Sequence, residues 1–214
     1  MRKTVVACRT IERELRVAMD ACAFAGETVW IESGLHNVPA RLHERLQRAL
    51  EECAPCDVVL LALSLCGNAV AGLQAGNFRM VLPRVEDCIS LLLGGKDAER
   101  PIDAYFLTQG WLDGERNIWR EYEYCINKYG KHLGREIFDQ MFRNYRTLML
   151  LDTGCYDMAP ACAQARQIAE TLGLELSLRQ GTLHLIQELL TGPWTQERFI
   201  VVEPGEKLHT GIPG

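Results

Sequence analysis

Short apolar or β-branched runs recur along this chain, each separated from the next by a stretch with helical spacing, and that alternation restricts the fold more than any other feature. Thr4-Val5-Val6-Ala7-Cys8 is the first run, and Thr10 then offers a cap to apolar positions at Ile11, Leu15, Ala18, Met19 and Cys22. Residues 28–32 read as a second strand, 33–37 as a loop, and 38–53 as a helix begun near Pro39, with Leu42, Leu46, Ala49 and Leu50 on its apolar face. Residues 57–65 are nearly all apolar, as expected of a strand covered on both faces, and they end in Cys66-Gly67-Asn68. A strand over 78–82 stopped by Pro83, a helix over about 86–93 and a strand over 103–107 follow. Residues 111–145 are charged and aromatic and read as two helices broken near Tyr129-Gly130. The alternation then returns: strand 148–151, helix 160–172, strand 174–178, helix 182–190 and strand 199–202, closed by Pro204-Gly205.

About eight strands alternating with helices predict an α/β fold with a mostly parallel sheet of βα units, Rossmann-like, in two lobes with a helical insertion around 112–146. The expectation is a single α/β domain over residues 1–214, with lobes at 1–110 and 146–205 and a helical segment at 111–145. Strand order is not legible at this level.

Composition narrows the setting. With 48% hydrophobic and 24% charged residues, the chain has the balance of a soluble globular protein. At 214 residues it buries enough surface to need no covalent staples. Met1-Arg2-Lys3 is followed by only five small or apolar residues before Arg9, too few for a secretory signal, and no uncharged apolar run is long enough to span a bilayer. The expectation is therefore a cytoplasmic protein with no membrane association and with reduced thiols. A net charge of −5 and the lack of a basic stripe with interleaved aromatics argue against nucleic acid as a partner.

Nine cysteines then need an explanation other than disulfides. In a parallel sheet, ligands bind outside the carboxyl ends of the strands, where the strand-to-helix loops converge. Cys8 ends the first strand, Cys66 follows the long apolar strand, Cys88 lies just past the strand ending at Leu82, and Cys155 follows the run 148–151. His36 stands in the loop after the second strand, so all five are expected on one edge of one sheet. Cys53 and Cys56 form a C-x-x-C on the opposite edge. It terminates a helix rather than starting one, so it reads chiefly as loop cysteines, with a redox pair or half a metal site as the other reading. Cys22, Cys125 and Cys162 lie within helical patterns and read as packing residues. For the convergent set, thiolates and imidazole suit zinc, and thiolates also hold iron–sulfur clusters; ordinary burial of thiols is the competing reading.

Three further features stand at the same edge. The Gly67-Asn68 turn between strand and helix suits an anion or a thiolate, although it lacks the glycine fingerprint of dinucleotide folds and the Walker lysine. Arg84 can clamp a carboxylate or phosphate, and Asp87 can cap a helix or support a ligand. Glu86 adds a second carboxylate to that segment, for which a salt-bridged capping cluster is the plainer reading.

Ala7-Cys8, Leu35-His36-Asn37-Val38-Pro39, Leu65-Cys66-Gly67-Asn68, Pro83-Arg84 with Asp87-Cys88-Ile89, Leu92-Leu93-Gly94, Gly110-Trp111 and Val202-Glu203-Pro204-Gly205 together resemble the domain-of-unknown-function family 1638, from Cys8 to about Gly205. The resemblance implies a setting in anaerobic bacteria and archaea beside corrinoid-dependent methyltransferase systems; it supplies no activity. The matching positions are Cys8, His36, Cys66, Gly67, Arg84, Asp87 and Cys88. Where the family pattern has histidine before the Asp-Cys pair, this chain has Glu86, and Cys155 has no counterpart in the pattern.

The leading expectation is a metal-binding protein whose Cys8, Cys66 and Cys88, with Cys155 as a possible fourth ligand, hold zinc or a [4Fe–4S] cluster, serving corrinoid-dependent methyl transfer or one-carbon metabolism. His36, Gly67, Asn68, Arg84, Glu86 and Asp87 would bind an anionic substrate or support the ligands. Two alternatives stand beside it. One is a metal-free transferase for a phosphorylated or carboxylated metabolite, with Cys66 or Cys88 as nucleophile. The other is a non-catalytic accessory or chaperone module for a corrinoid protein or methyltransferase, docking through Trp111, Trp119, Tyr122, Tyr124 and Tyr129, for which core packing is the competing reading.

Overall fold

The computed structural model describes residues 1–53, 55–66, 68–115 and 117–210. In chain order, β1 (Lys3–Cys8) passes through a 3-10 turn (Arg9–Ile11) into α1 (Glu12–Ala21), and β2 (Glu27–Ile31) through a second (Leu35–Asn37) into α2 (Pro39–Glu52). Then come β3 (Val58–Ala62), β4 (Arg79–Pro83), α3 (Cys88–Leu92), β5 (Ala104–Leu107), α4 (Gln109–Asp113), α5 (Ile118–Tyr129) and α6 (Lys131–Phe142). The chain closes with β6 (Thr147–Asp152), α7 (Met158–Leu172), β7 (Glu175–Gln180), α8 (His184–Thr191) and β8 (Phe199–Val202). No described helix is long and apolar enough to cross a membrane.

These elements form an α/β fold, but the strands divide between two sheets. One compact unit comprises Met1–Ala98 with Thr182–Gly214, and the other Glu99–Gly181. The boundaries differ from lobes at 1–110 and 146–205, because strand pairing runs across them. β5 pairs with β6, Tyr105 opposite Leu148, and so leaves the strands that precede it; β8 pairs antiparallel with β4, Val81 opposite Val201, and so returns to the first unit. The helical segment belongs to the second unit, where a third short helix, α4, precedes the two that were expected.

The first unit carries a five-stranded sheet in the order β2-β1-β3-β4-β8, with the first four strands parallel. All five residues of β3 are buried, as its unbroken apolar run requires of a strand with both faces covered. On one face Val6, Val59, Leu61, Met80 and Leu82 form a core with the four α2 residues spaced three and four apart, Leu42, Leu46, Ala49 and Leu50. Pro39 starts that helix at the position where its missing N–H costs nothing. Helix α8 packs on β3 and β4 and against α1 and α3. From β1 the chain steps out to β2, then crosses back over β1 to β3, so the connections leaving β1 and β3 diverge. The crevice between their carboxyl ends is the topological switch point, where ligands bind in open α/β sheets.

The second unit has a parallel sheet β5-β6-β7 with a core of Leu107, Leu148 and Leu150 against Phe138, Phe142 and the alanine face of α7. Trp111, Trp119 and Tyr122 pack against this core, whereas Tyr124 and Tyr129 are exposed. Helices α5 and α6 meet at Gly134, where a Cβ would stand 2.7 Å from the Cys125 carbonyl oxygen. Only glycine permits that approach.

Candidate functional site

Because β2, β1, β3 and β4 run parallel, the loops that follow them leave at one edge, and they carry His36, Cys8, Cys66 and Cys88 respectively. Cys8 is the last residue of β1 and donates its thiol hydrogen to Thr10 Oγ1 at 3.2 Å. After β3 the chain stays buried through Leu63, Ser64 and Leu65, and the Leu65 N–H donates to the Val85 carbonyl at 3.0 Å, which ties the end of β3 to the end of β4. Cys66 then takes a left-handed backbone conformation, φ 47°, and Asn68 another, φ 72°. Asparagine tolerates that region; a cysteine there is held by its surroundings.

Those surroundings come from the end of the chain. The N–H groups of Gly72 and Leu208 bond the carbonyls of Leu208 and Leu73, at 2.9 and 2.8 Å, Leu208 is fully buried, and Thr210 Oγ1 donates to Asn68 Oδ1 at 3.0 Å. Cys88 is the first residue of α3, which Asp87 caps by accepting from the Ser90 N–H at 2.8 Å.

Three loops thus bring three thiols together. Ser64 Oγ lies 3.1 Å from Cys66 Sγ and 3.6 Å from Cys88 Sγ, so one hydroxyl bridges the two, and the thiols are close enough for each to govern the other's ionisation. Cys8 is close enough that the charge on Cys66 raises its pKa. The thiol of Cys88, donating to Cys66, pulls the Cys66 pKa down to about 7 against the opposing effect of burial, with help from Ser64. The same hydrogen bond holds the proton on Cys88, whose pKa goes well above the ordinary thiol value, and burial adds to the rise. Cys8 also moves up, chiefly through burial. The Cys66–Cys88 pair therefore releases its first proton readily and its second only with difficulty. Among the described residues, no group of three or more His, Cys, Asp or Glu side chains is placed so that it could hold a metal ion.

The remaining candidates are spread more widely. His36 is exposed in the 3-10 turn after β2, and Glu86 is exposed beside the Asp87 cap. Asp87 is near enough to Cys66 to raise its pKa. Arg84 is turned to other partners: its backbone N–H donates to the Arg198 carbonyl at 2.7 Å and its Nε to the Gln196 carbonyl at 3.1 Å. Gly67 lies outside the described residues. Cys155 follows β6 in the second unit's sheet, with its thiol donating to the Thr153 carbonyl at 3.3 Å. The expectation of one edge for all five residues is corrected on this point: Cys155 belongs to the edge of β5-β6-β7.

Cys53 and Cys56 lie at the opposite edge of the first sheet, between α2 and β3. Burial raises the pKa of both, Cys53 to about 11, which keeps them protonated and poorly nucleophilic. Cys125 and Cys162 pack against the core of the second unit. Ser64 was not singled out from the sequence, and Thr10, expected to cap the first helix, instead accepts from the Cys8 thiol, while no side chain caps α1. A serine inside the apolar run 57–65 was the available signal, since a buried hydroxyl needs a partner.

No curated protein and no solved structure matches the chain. The family model for the protein of unknown function DUF1638 matches residues 30–190, which include the end of β2, Cys66, Cys88 and the whole second unit but not Cys8. By that match, which extends over most of its length, this chain belongs to the DUF1638 family.

Proposed function

We propose that this protein binds a metal centre, zinc or a [4Fe–4S] cluster, through the thiolates of Cys8, Cys66 and Cys88 at the β1/β3 switch point. The observation that carries the reading is the approach of three thiols carried by three separate loops at one edge of the sheet, with the Ser64 hydroxyl within hydrogen-bonding reach of two of them. Soft thiolates select these metals, and three of them leave one of four positions open for a substrate group. Binding would turn the Cys8 sulfur away from the Thr10 hydroxyl to join the other two, a rotation about one side-chain bond. At the open position the metal would polarise a bound group, while Ser64 and the Asp87 carboxylate orient the ligands around it. A role in corrinoid-dependent methyl transfer or one-carbon metabolism draws its support from the family resemblance alone.

A second reading is favoured by the direct contact of Cys66 with both Cys88 and Ser64, which stabilises a thiolate without a metal. Cys66 would then act as the nucleophile of a metal-free transferase.

Anaerobic purification followed by metal and acid-labile sulfide analysis separates the two. The metal reading expects about one zinc per chain, or about four irons and four sulfides with a broad absorption near 400 nm. Cys8→Ser, Cys66→Ser and Cys88→Ser each lower that content, and Cys155→Ser leaves it unchanged. A chain that holds no metal after reconstitution, with all three thiols open to alkylation, overturns it in favour of the metal-free reading.

A further inference from the structure

A cavity of about 400 Å³ opens at the carboxyl end of β4, and the first unit alone lines it. That is within the size range of small-molecule sites. Val85, Leu93 and Leu185 make it partly apolar, Arg84, Lys96 and Arg198 bring cationic groups, and His184 adds an imidazole. Two of these four side chains are already engaged by a carboxylate: Arg198 and His184 share Glu188 Oε1, at 2.7 and 3.1 Å, and Arg198 also donates to the Gly94 carbonyl at 3.2 Å. The other two are not. Among the described residues neither Arg84 nor Lys96 makes an ion pair, and the half-buried Arg84 uses only its Nε, on the Gln196 carbonyl.

Part of the lining is glycine backbone. Gly94 and Gly95 have φ of 95° and 139°, a region side chains rarely adopt, and a Cβ on Gly95 would meet nothing within 4 Å. The loop therefore leaves the space beside Gly95 open. Asp97 and Glu197 also line the cavity and are exposed, so its selectivity comes from the planar fork of Arg84 rather than from bulk positive charge.

We infer that this cavity is a binding subsite for a small organic oxyanion, gripped by the free end of the Arg84 guanidinium and by Lys96, with its apolar part against Val85, Leu93 and Leu185. The inference goes beyond the metal reading and does not depend on it, since none of these residues is a proposed metal ligand. The two remain close in the chain: β4 ends in Pro83, Arg84 follows on the cavity side, and Cys88 follows on the thiol side.

The test is thermal denaturation and titration calorimetry of the full chain with inorganic phosphate in one arm and succinate in the other, at constant ionic strength against chloride. It is run on protein as purified and after chelator treatment. At ten times the dissociation constant, the effective anion raises Tm by about 3–6 °C. Response to phosphate alone identifies a phosphate ester, and response to succinate alone a carboxylate. Arg84→Gln and Lys96→Gln each weaken binding about ten-fold or more, while Glu197→Gln retains it. Lys96 is exposed, so its substitution keeps the test valid should Arg84→Gln fail to fold. No shift beyond chloride in either arm, or a shift that survives in Arg84→Gln or Lys96→Gln, overturns the inference. A response that persists without metal keeps it separate from the fate of the thiol centre.

Discussion

Removing the Cys88 thiol tests the electrostatic account of the thiol cluster. In metal-stripped, reduced protein, the hydrogen bond from Cys88 is the largest influence holding the Cys66 pKa at about 7. Cys88→Ala removes that donor; burial then opposes ionisation while the Ser64 hydrogen bonds still favour it, so the Cys66 midpoint rises toward the ordinary thiol value of about 8.5. At a midpoint of about 8.5 the thiolate fraction at pH 7 falls from about one half to about 3%, about sixteen-fold. A more basic thiolate is a better nucleophile, and a Brønsted slope of about 0.4–0.5 returns about four- to six-fold of the loss. The net expectation is a fall of up to about three- to four-fold in the alkylation rate at pH 7, with the rate profile's midpoint displaced upward toward about 8.5. Iodoacetamide labelling across pH, resolved at Cys66 by peptide mass spectrometry, measures both quantities, and Cys8→Ala serves as the comparison because Cys8 does not donate to Cys66. An unchanged midpoint in Cys88→Ala, or a native midpoint near 8.5, would refute the reasoning.

Three other perturbations follow from the packing. Thr210→Val keeps the shape of the terminal segment but leaves Asn68 Oδ1 without the 3.0 Å bond from the Thr210 hydroxyl. It should cost about 1–3 kcal/mol in urea denaturation and alter Cys66 labelling, and Thr210→Ser should restore both. Gly134→Ala puts a methyl 2.7 Å from the Cys125 carbonyl oxygen; overpacking of about 1–3 kcal/mol outweighs the helix preference of alanine, about 1 kcal/mol, so a stabilised variant would disprove the close crossing of α5 and α6. The folded state holds the Cys53 proton up to about pH 11 while the unfolded chain releases it near 9, so this group's contribution to stability is complete below 9 and lost as pH rises to 11. Tm measured over that window should fall less steeply in Cys53→Ala than in the native chain, and parallel curves would rule the contribution out.

Local periodicity carried the individual elements well. The α2 face at Leu42, Leu46, Ala49 and Leu50 was readable because side chains three and four apart must share one side of a helix, and the β3 run because a strand buried on both faces has no polar alternation. The thiols of Cys8, Cys66 and Cys88 were readable as a group for a related reason, since every parallel strand sends its following loop to the same edge. Cys155 misled the same argument. The run 147–152 looks like any other parallel strand, and nothing in its side chains announces that its partners are β5 and β7. Arg84 was likewise placed at the right edge but not with the right neighbours, because Gln196 and Arg198 reach it only through the antiparallel return of β8.

By itself, then, the sequence determined the kind of element at each stretch and the end of each strand from which chemistry would issue. Those properties depend on the spacing of side chains within a few turns of chain. Only the tertiary structure decided which strands share a sheet, that Ser64 stands between two thiols, and that the terminal segment at Leu208 and Thr210 braces the turn of Cys66. Strands pair through backbone groups that every residue type offers alike, so the choice among partners is settled by distant contacts that no local pattern records.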